Sequence, residues 1–395
     1  MKVLVVSHLY PSPGVERHLF VHEQNKALRD LGVDISVVSP TPYAPRLLWR
    51  DERQRRRGQK PRRAVLDGIV AEYPRVPQPP RRLLLDRSGD LAYPFVRRAA
   101  AVRRGVDLVH AHQALPDGAI AQRLADDLGV PYVVTVHGAD VYQHLRRDDA
   151  AARRAAAVLG GAAGVMANSS AVARLLKGVV GDERLHVVLN GTTGAGTKVM
   201  PADDLFPGEP LLLTVGKFIA RKGHAVMLDA LALLAAQGRR PHWAVVGDGP
   251  LGGALERRAA DLGLSATVHF LGRQLHQRVL ELMARADLFA LPSWDEAFGL
   301  VYTEAMTQGT PIVACRGGGP EDFVEDGASG YLVPARDHEA LAGVICAVLD
   351  DPAAAAAVGE AGRAAAAALT WERNARLTSA VYEQALANHK AGGRR

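Results

Sequence analysis

Two carboxylates, Glu296 and Glu304, flank Phe298-Gly299-Leu300 within the stretch Leu291-Pro-Ser-Trp-Asp-Glu-Ala-Phe-Gly-Leu-Val-Tyr-Thr-Glu304. An apolar strand-like run ends at Leu291, a loop carries Glu296, and Gly299 opens a helix. The free N–H groups and positive dipole end of that helix attract phosphate. At ~1.5 Å per residue Glu304 lies roughly 8 Å along the axis from Gly299, so the two acids bracket an anion site. There they can accept hydrogen bonds from hydroxyls on either side of a diphosphate. Spacing alone leaves open that both are ordinary solvated acids. A second cluster, Gly216-Lys-Phe-Ile-Ala-Arg-Lys-Gly223, leaves another strand. Lys217 and Lys222 at the carboxyl end of a parallel sheet would neutralise a diphosphate and stabilise it as a leaving group. A basic, merely exposed loop is the plain alternative.

These residues need a scaffold of strands alternating with helices. The pattern predicts strands at 2–6, 33–38, 108–110, 132–136, 165–167 and 187–189, with helices at 18–31, 118–128 and 149–159 and a short one after 167. Residues 191–210 break the rhythm with Gly191, Gly194, Gly196, Pro201, Pro207 and Pro210, which places a domain boundary there. Strands then recur at 211–215, 243–246, 267–271, 287–291, 311–314 and 330–333, with helices at 223–237, 251–262, 276–284, 299–308, 319–325 and 337–350. Such alternation means α/β domains with parallel sheets covered on both faces. We expect two doubly wound, Rossmann-like domains, 1–195 and 208–370, facing across a cleft at the carboxyl ends of both sheets. A last helix at about 371–390 should pack back on the first domain.

With 395 residues, 48% of them hydrophobic, the chain is long enough for two packed cores. No apolar run of about 18 residues and no cleavable leader pattern are present, so membrane spanning and secretion are not expected. Cys315 and Cys346 are too few for a disulfide framework, as in a reducing cytoplasm. The net charge of +6 is local: residues 46–63 hold nine basic side chains against Asp51 and Glu52, a surplus of seven, which leaves −1 for the rest. General nucleic-acid binding is therefore not expected. The segment, with Leu47, Leu48, Trp49 and Leu83-Leu-Leu85, could touch an anionic membrane on its inner face; a solvated surface loop is the alternative.

The Glu296–Glu304 pair in its Pro-Ser…Glu-Ala-Phe-Gly-Leu…Glu-Ala setting resembles the signature of retaining glycosyltransferases of the GT-B fold, glycosyltransferase family 4. Other motifs agree in order: Tyr10-Pro11 with Gly14, Asp107-Leu-Val-His-Ala-His112, Thr135-Val-His-Gly138, Asn190-Gly191, Val246-Gly-Asp-Gly-Pro250, Phe270-Leu-Gly272, and Gly317-Gly-Gly-Pro-Glu321 before Gly327 and Gly330. The resemblance spans nearly the whole chain. It implies a donor site for a UDP- or GDP-sugar in the second domain, needing no metal or other cofactor. Lys217 and Lys222 would hold the diphosphate and Glu304 the ribose hydroxyls. Glu296, with the backbone of Phe298, Gly299 and Leu300, would hold the sugar and distal phosphate. Gly216, Gly247 and Gly272 would line the donor site and Gly14 would let the first domain's loop approach it. His137 would reach the transferred sugar, whereas His110 and His112 are expected to be structural; a satisfied core histidine remains the alternative for His137. The implied reaction keeps the anomeric configuration, with the departing diphosphate taking the acceptor's proton or, alternatively, Glu296 acting as nucleophile. The acceptor would be a glycan, glycolipid or small molecule, in bacterial envelope polysaccharide, glycolipid or secondary-metabolite synthesis.

Three positions depart from the pattern. Lys217 stands where arginine is common and lacks its bidentate fork. Gly14 is followed by Val15 where a second glycine is usual, and Asn190-Gly191 continues as Thr192-Thr-Gly-Ala-Gly196. Two other readings compete. Gly247-Asp-Gly-Pro-Leu-Gly252 formally matches the dinucleotide fingerprint of an NADP-dependent oxidoreductase, but it follows a second strand, and Arg273, not an acid, stands at the next strand end. A non-catalytic sugar-nucleotide binder would keep the lysines and acids without needing His137.

Overall fold

A computed structural model describes residues 1–392 except 14–18, 44–58, 78–83, 104, 139, 147–148, 193–197 and 204. The chain divides into two compact units, Met1–Gly191 with Trp371–Arg395, and Thr192–Thr370.

In the first unit the strands are β1 (Lys2–Val6), β2 (Asp34–Val38), β3 (Thr41–Tyr43), β4 (Arg63–Leu66), β5 (Ile69–Glu72), β6 (Arg75–Pro77), β7 (Leu108–His112), β8 (Tyr132–Val136), β9 (Gly164–Ala167) and β10 (Leu185–Val187). Eight form one sheet in the order β10-β9-β8-β7-β1-β2-β5-β4, and β3 and β6 form a separate pair. Val3, Leu4, Val5 and Val6 are all buried, as a strand covered on both faces requires. Helices Leu19–Asp30, Ala119–Leu128, Ala150–Gly161 and Ser170–Leu176 supply that cover. Asp149 and Ser169 cap the last two by accepting hydrogen bonds from the amides of Ala152 and Val172, at 2.9 and 3.1 Å. Helix Trp371–Gly392 buries Ala375, Val381, Tyr382 and Ala385 in this unit's core. Gln24 on helix Leu19–Asp30 donates to Asn374 and Thr378 of that helix at 2.7 and 3.0 Å.

The second unit holds β11 (Leu211–Val215), β12 (His242–Val246), β13 (Val268–Gly272), β14 (Leu288–Ala290), β15 (Ile312–Cys315) and β16 (Tyr331–Val333), ordered β13-β12-β11-β14-β15-β16 and wholly parallel. Trp243, Leu231 and Ile345 fill one face and Phe289, Tyr302 and Met306 the other. The chain runs outward from β11 to β13 and then returns to β11's other side as β14. The helices that follow β11 and β14 therefore lie on opposite faces of the sheet, and the two loops leading to them flank a crevice at its carboxyl edge. In the first unit the same reversal falls between β1 and β7.

Three expectations are corrected and one helix is added. The strand expected at 187–189 is Leu185–Val187, pairing with Val165–Ala167, because Leu185 and His186 take the ladder positions while Val188 and Leu189 continue past it. The helix expected at 319–325 is one 3₁₀ turn, Gly319–Asp322, with Pro320 in its first positions. The first sheet is not purely parallel: β4 returns antiparallel to β5 through the turn Asp67-Gly68, where both residues have positive φ. Finally, helix Pro352–Ala367 is an addition; its alanine-rich sequence lacks the apolar-polar contrast by which a helix is read.

Candidate functional site

Three of the singled-out glycines stand side by side at the carboxyl edge of the second sheet. Gly216 donates its amide to Val246 O and Gly247 donates to Gly272 O, both at 2.9 Å. A Cβ on Gly247 would lie 2.0 Å from Gly216 O, and one on Gly249 would lie 2.6 Å from Phe218 O. The amide of Phe218 in turn donates to Asp248 O at 2.8 Å. The fingerprint-like glycines thus press the β12 loop onto the Lys217 loop. Asp248 and Arg273 pair with each other at 2.5 Å.

At the crevice the β11 loop meets the β14 loop. A Cβ on Gly223 (φ +73°) would come 2.1 Å from Pro292 O, so only glycine allows this approach. The contact sets Lys222 Nζ 2.5 Å from Glu296 Oε2, with Ser293 Oγ donating to the same oxygen at 3.0 Å and Arg221 at 4.0 Å. Burial alone would raise the Glu296 pKa, but Lys222, Arg221 and Ser293 together hold it below the usual carboxylate value. Lys217 is exposed and makes no ion pair among the described residues.

Helix Leu300–Thr307 begins at Gly299, whose φ of +91° turns the chain into the helix. Tyr302 OH donates to Leu291 O at 2.6 Å, tying the helix's first turn to the end of β14. Gly319 donates its amide to Glu296 O at 2.8 Å, and a Cβ there would lie 2.4 Å from Ala297 O, so the Gly317-Gly-Gly-Pro turn braces the loop from behind. Phe298 is buried against Phe323; its backbone, with those of Gly299 and Leu300, forms the helix start. Glu304 lies farther along this helix. Its carboxyl has no hydrogen-bond partner among the described residues, and burial raises its pKa to about 7.

The structure therefore gathers Gly216, Lys222, Gly247, Gly272, Glu296, Phe298, Gly299, Leu300 and Glu304 at one edge of one sheet, with Lys217 on the bordering loop. Sequence reading gave no role to Arg221, Ser293 or Trp294, although all three sit inside the motifs. Trp294 lies under the Arg336 guanidinium at 4.8 Å, and both Asp295 and Arg336 have positive φ, so the loop is held in a costly conformation. Gly14 lies outside the described residues, as do 46–58 of the basic segment.

His137 belongs to the first unit, just past β8. Its Nε2 is 2.9 Å from His112 Nδ1 at the end of β7, and the two rings stack with centroids 5.2 Å apart. Nearby, buried Asp117 accepts from the amide and Nδ1 of His8, at 3.1 and 2.8 Å, joining the β1 and β7 loops at that unit's reversal point. Tyr10 OH and His22 Nδ1 are 2.6 Å apart, and His22 Nε2 reaches Asp67 at 2.9 Å. Tyr73 OH donates to Pro11 O at 2.6 Å. The root of the loop that continues to Gly14 is thus fixed from three sides.

Residues 14–193 match the family model Glycosyltransferase Family 4, and residues 198–365 match Glycosyl transferases group 1. A D-inositol 3-phosphate glycosyltransferase of Nocardia farcinica is 32% identical over 303 residues, 71% of this chain and 67% of that protein. Among solved structures, sucrose-phosphate synthase (tll1590) from Thermosynechococcus elongatus is similar at 23% identity, with a TM-score of 0.78 over 98% of this chain and 100% of that one. Anabaena Alr3699/HepE in complex with UDP-glucose is similar at 23% identity, with a TM-score of 0.73 over 97% and 100%. Motifs, strand order and these likenesses agree: the chain belongs to the family 4 glycosyltransferases, enzymes of sugar transfer built on the GT-B fold.

Proposed function

We propose that this glycosyltransferase takes a sugar from a nucleoside-diphosphate sugar, UDP- or GDP-linked, and passes it with retained configuration to an acceptor hydroxyl. The observation that carries the reading is the Lys222–Glu296 pair at the second sheet's reversal point, beside the Gly299 helix start and Glu304. Lys222 and Lys217, with the helix N–H groups, supply positive potential where a leaving diphosphate gathers charge. Glu304 offers oxygens to the ribose hydroxyls. The bound UDP-glucose of the Anabaena structure supports trying uridine donors first. Glu296 is already engaged by Lys222, Ser293 and Arg221, and a charge-compensated carboxylate is a poor nucleophile. This favours the departing diphosphate as the group that takes the acceptor's proton, with Glu296 positioning the sugar and His137 contributing from the first unit.

For the acceptor, a cytoplasmic enzyme touching the inner membrane face fits the basic surplus of residues 46–63. Exposed Leu84, Leu91 and Phe95 near Arg87, Arg97 and Arg98 add an apolar and basic face. A glycolipid or envelope glycan is then the acceptor to try first, with an inositol phosphate beside it because of the Nocardia relative's name.

Thermal shift with nucleoside diphosphates and their sugars tests the donor site. One diphosphate should stabilise the native chain and lose its effect in both Glu304→Ala and Lys222→Ala; stabilisation by NADP alone would sink the reading. NMR of the anomeric proton in the product decides retention. Pelleting with anionic vesicles that is unchanged by deleting residues 50–63 would remove the basic segment from the membrane contact.

A further inference from the structure

Helix His224–Ala236 buries a stripe of His224, Met227, Leu228, Leu231 and Leu234. An apolar side chain would serve at the head of that stripe, yet His224 stands there, 2% exposed. Its ring meets Phe218 edge-on, with centroids 5.1 Å apart. Among the described residues neither its Nδ1 nor its Nε2 has a hydrogen-bond partner. Whichever nitrogen carries the proton, the ring therefore holds one unmade donor and one unmade acceptor. Burial, then the charge of Lys222, bring its pKa down to about 4, so the ring is neutral near pH 7. Buried polar groups without partners are costly, and each one kept in a native fold calls for a role. The position of the ring points to one. A Cβ on Gly216, at the end of β11, would lie 3.6 Å from Leu291 Cδ1, just past β14, and 3.8 Å from both His224 Cε1 and Lys222 Cδ. Cε1 is the carbon between the two nitrogens, so the polar edge of the ring faces the floor of the crevice between those strand ends.

We propose that His224 is a further binding residue for the sugar donor: its ring N–H donates to an oxygen of the nucleotide's diphosphate beneath Gly216, beside Lys222. The diphosphate draws Lys222 Nζ away from Glu296, and the lysine stem shifts to open the ring edge. A phosphate oxygen accepts hydrogen bonds readily, and the imidazole adds a directional donor where the lysines supply point charges. A neutral ring suits this floor, because a second buried cation would repel Lys222. The inference rests on the donor reading of the crevice and adds a residue to it. It also carries a signature that a packing histidine would lack: the group weakens the fold by itself and strengthens it with nucleotide bound.

The test measures melting and calorimetric affinity for UDP and, in parallel, GDP on the full chain. Without nucleotide, His224→Leu should melt at or above the native temperature, since it removes two unmade polar groups. Its affinity for whichever diphosphate binds the native chain should fall by about 10–100-fold, the loss of one hydrogen bond to a charged group. His224→Asn and His224→Gln place an amide N–H near one or the other ring nitrogen, and one of them should recover most of the affinity. Unchanged affinity in His224→Leu overturns the inference and leaves the donor reading standing. Failure of the native chain to bind either diphosphate sinks the donor reading and the inference with it. If His224→Leu does not fold, long-range ¹H–¹⁵N NMR on histidine-labelled native chain decides, with the His224 signals assigned by their loss in His224→Gln. Saturating diphosphate should then move the His224 N–H proton downfield and slow its exchange with water; a signal that stays as it was overturns the inference.

Discussion

Lys222 and Glu296 are 74 positions apart and hold each other at 2.5 Å with both side chains largely buried. Truncating one partner of such a pair strands the other, at a cost of about 3–5 kcal/mol in buried cases. Lys222→Ala should therefore lower the second unit's stability in urea by about 3 kcal/mol, and adding Glu296→Gln should recover part of the loss. Simple addition of the two losses would show that the charges are not coupled. Glu304 makes a separate prediction through pH. Its pKa rises from 4.5 to about 7 on folding, so the folded state binds the extra proton between those values. Stability from this group is thus present at low pH and is lost as pH rises through about 7. Ribose binding needs the ionised form, so nucleoside diphosphate affinity should increase from pH 6 to pH 8. Calorimetric titration checks this against Glu304→Gln, in which the increase should disappear.

Among elements, the loops were harder to read than the strands. β8 and β11 are apolar runs bounded by Pro131 and Gly138 and by Pro210 and Gly216, so their ends were plain in the sequence. β3 and β6 are three residues long and each contains proline, which no periodic pattern marks. The acidic pair and the basic loop were legible as separate motifs. Their meeting was not, because it depends on Gly223 lying against Pro292 O, a contact written in neither segment alone. The glycines of the β12 loop were legible as glycines only; their use in packing against Gly216 and Phe218 needed the fold. Gly247→Ala would put a Cβ 2.0 Å from a backbone oxygen at φ +143°, so the β12 loop must move off the Lys217 loop. We expect at least a tenfold weaker nucleoside diphosphate affinity by calorimetry, whereas Gly253→Ala, with 3.5 Å to an arginine side chain, should leave affinity unchanged.

At the level of the whole molecule, the second unit is one continuous stretch, Thr192–Thr370, and the first is not. The segment 192–210, expected as a linker, belongs to the second unit: Ala202 donates to Glu281 O at 2.9 Å, and Lys198 pairs with Glu360 at 2.7 Å. Residues 192–370 should therefore fold alone with a cooperative thermal transition. Residues 1–191 should remain loosely packed by near-UV circular dichroism until a peptide of residues 371–392 is added; native-like ellipticity without it would contradict the placement of Tyr382 and Val381 in that core. His110 on β7 is tied to the same helix, its Nδ1 lying 2.7 Å from Tyr382 OH. On the ribosome this reverses the usual order, in which domains mature as they emerge. The half of the enzyme translated first has to wait, with its sheet incomplete on one face, until the half translated second has been made and the closing helix has left the exit tunnel.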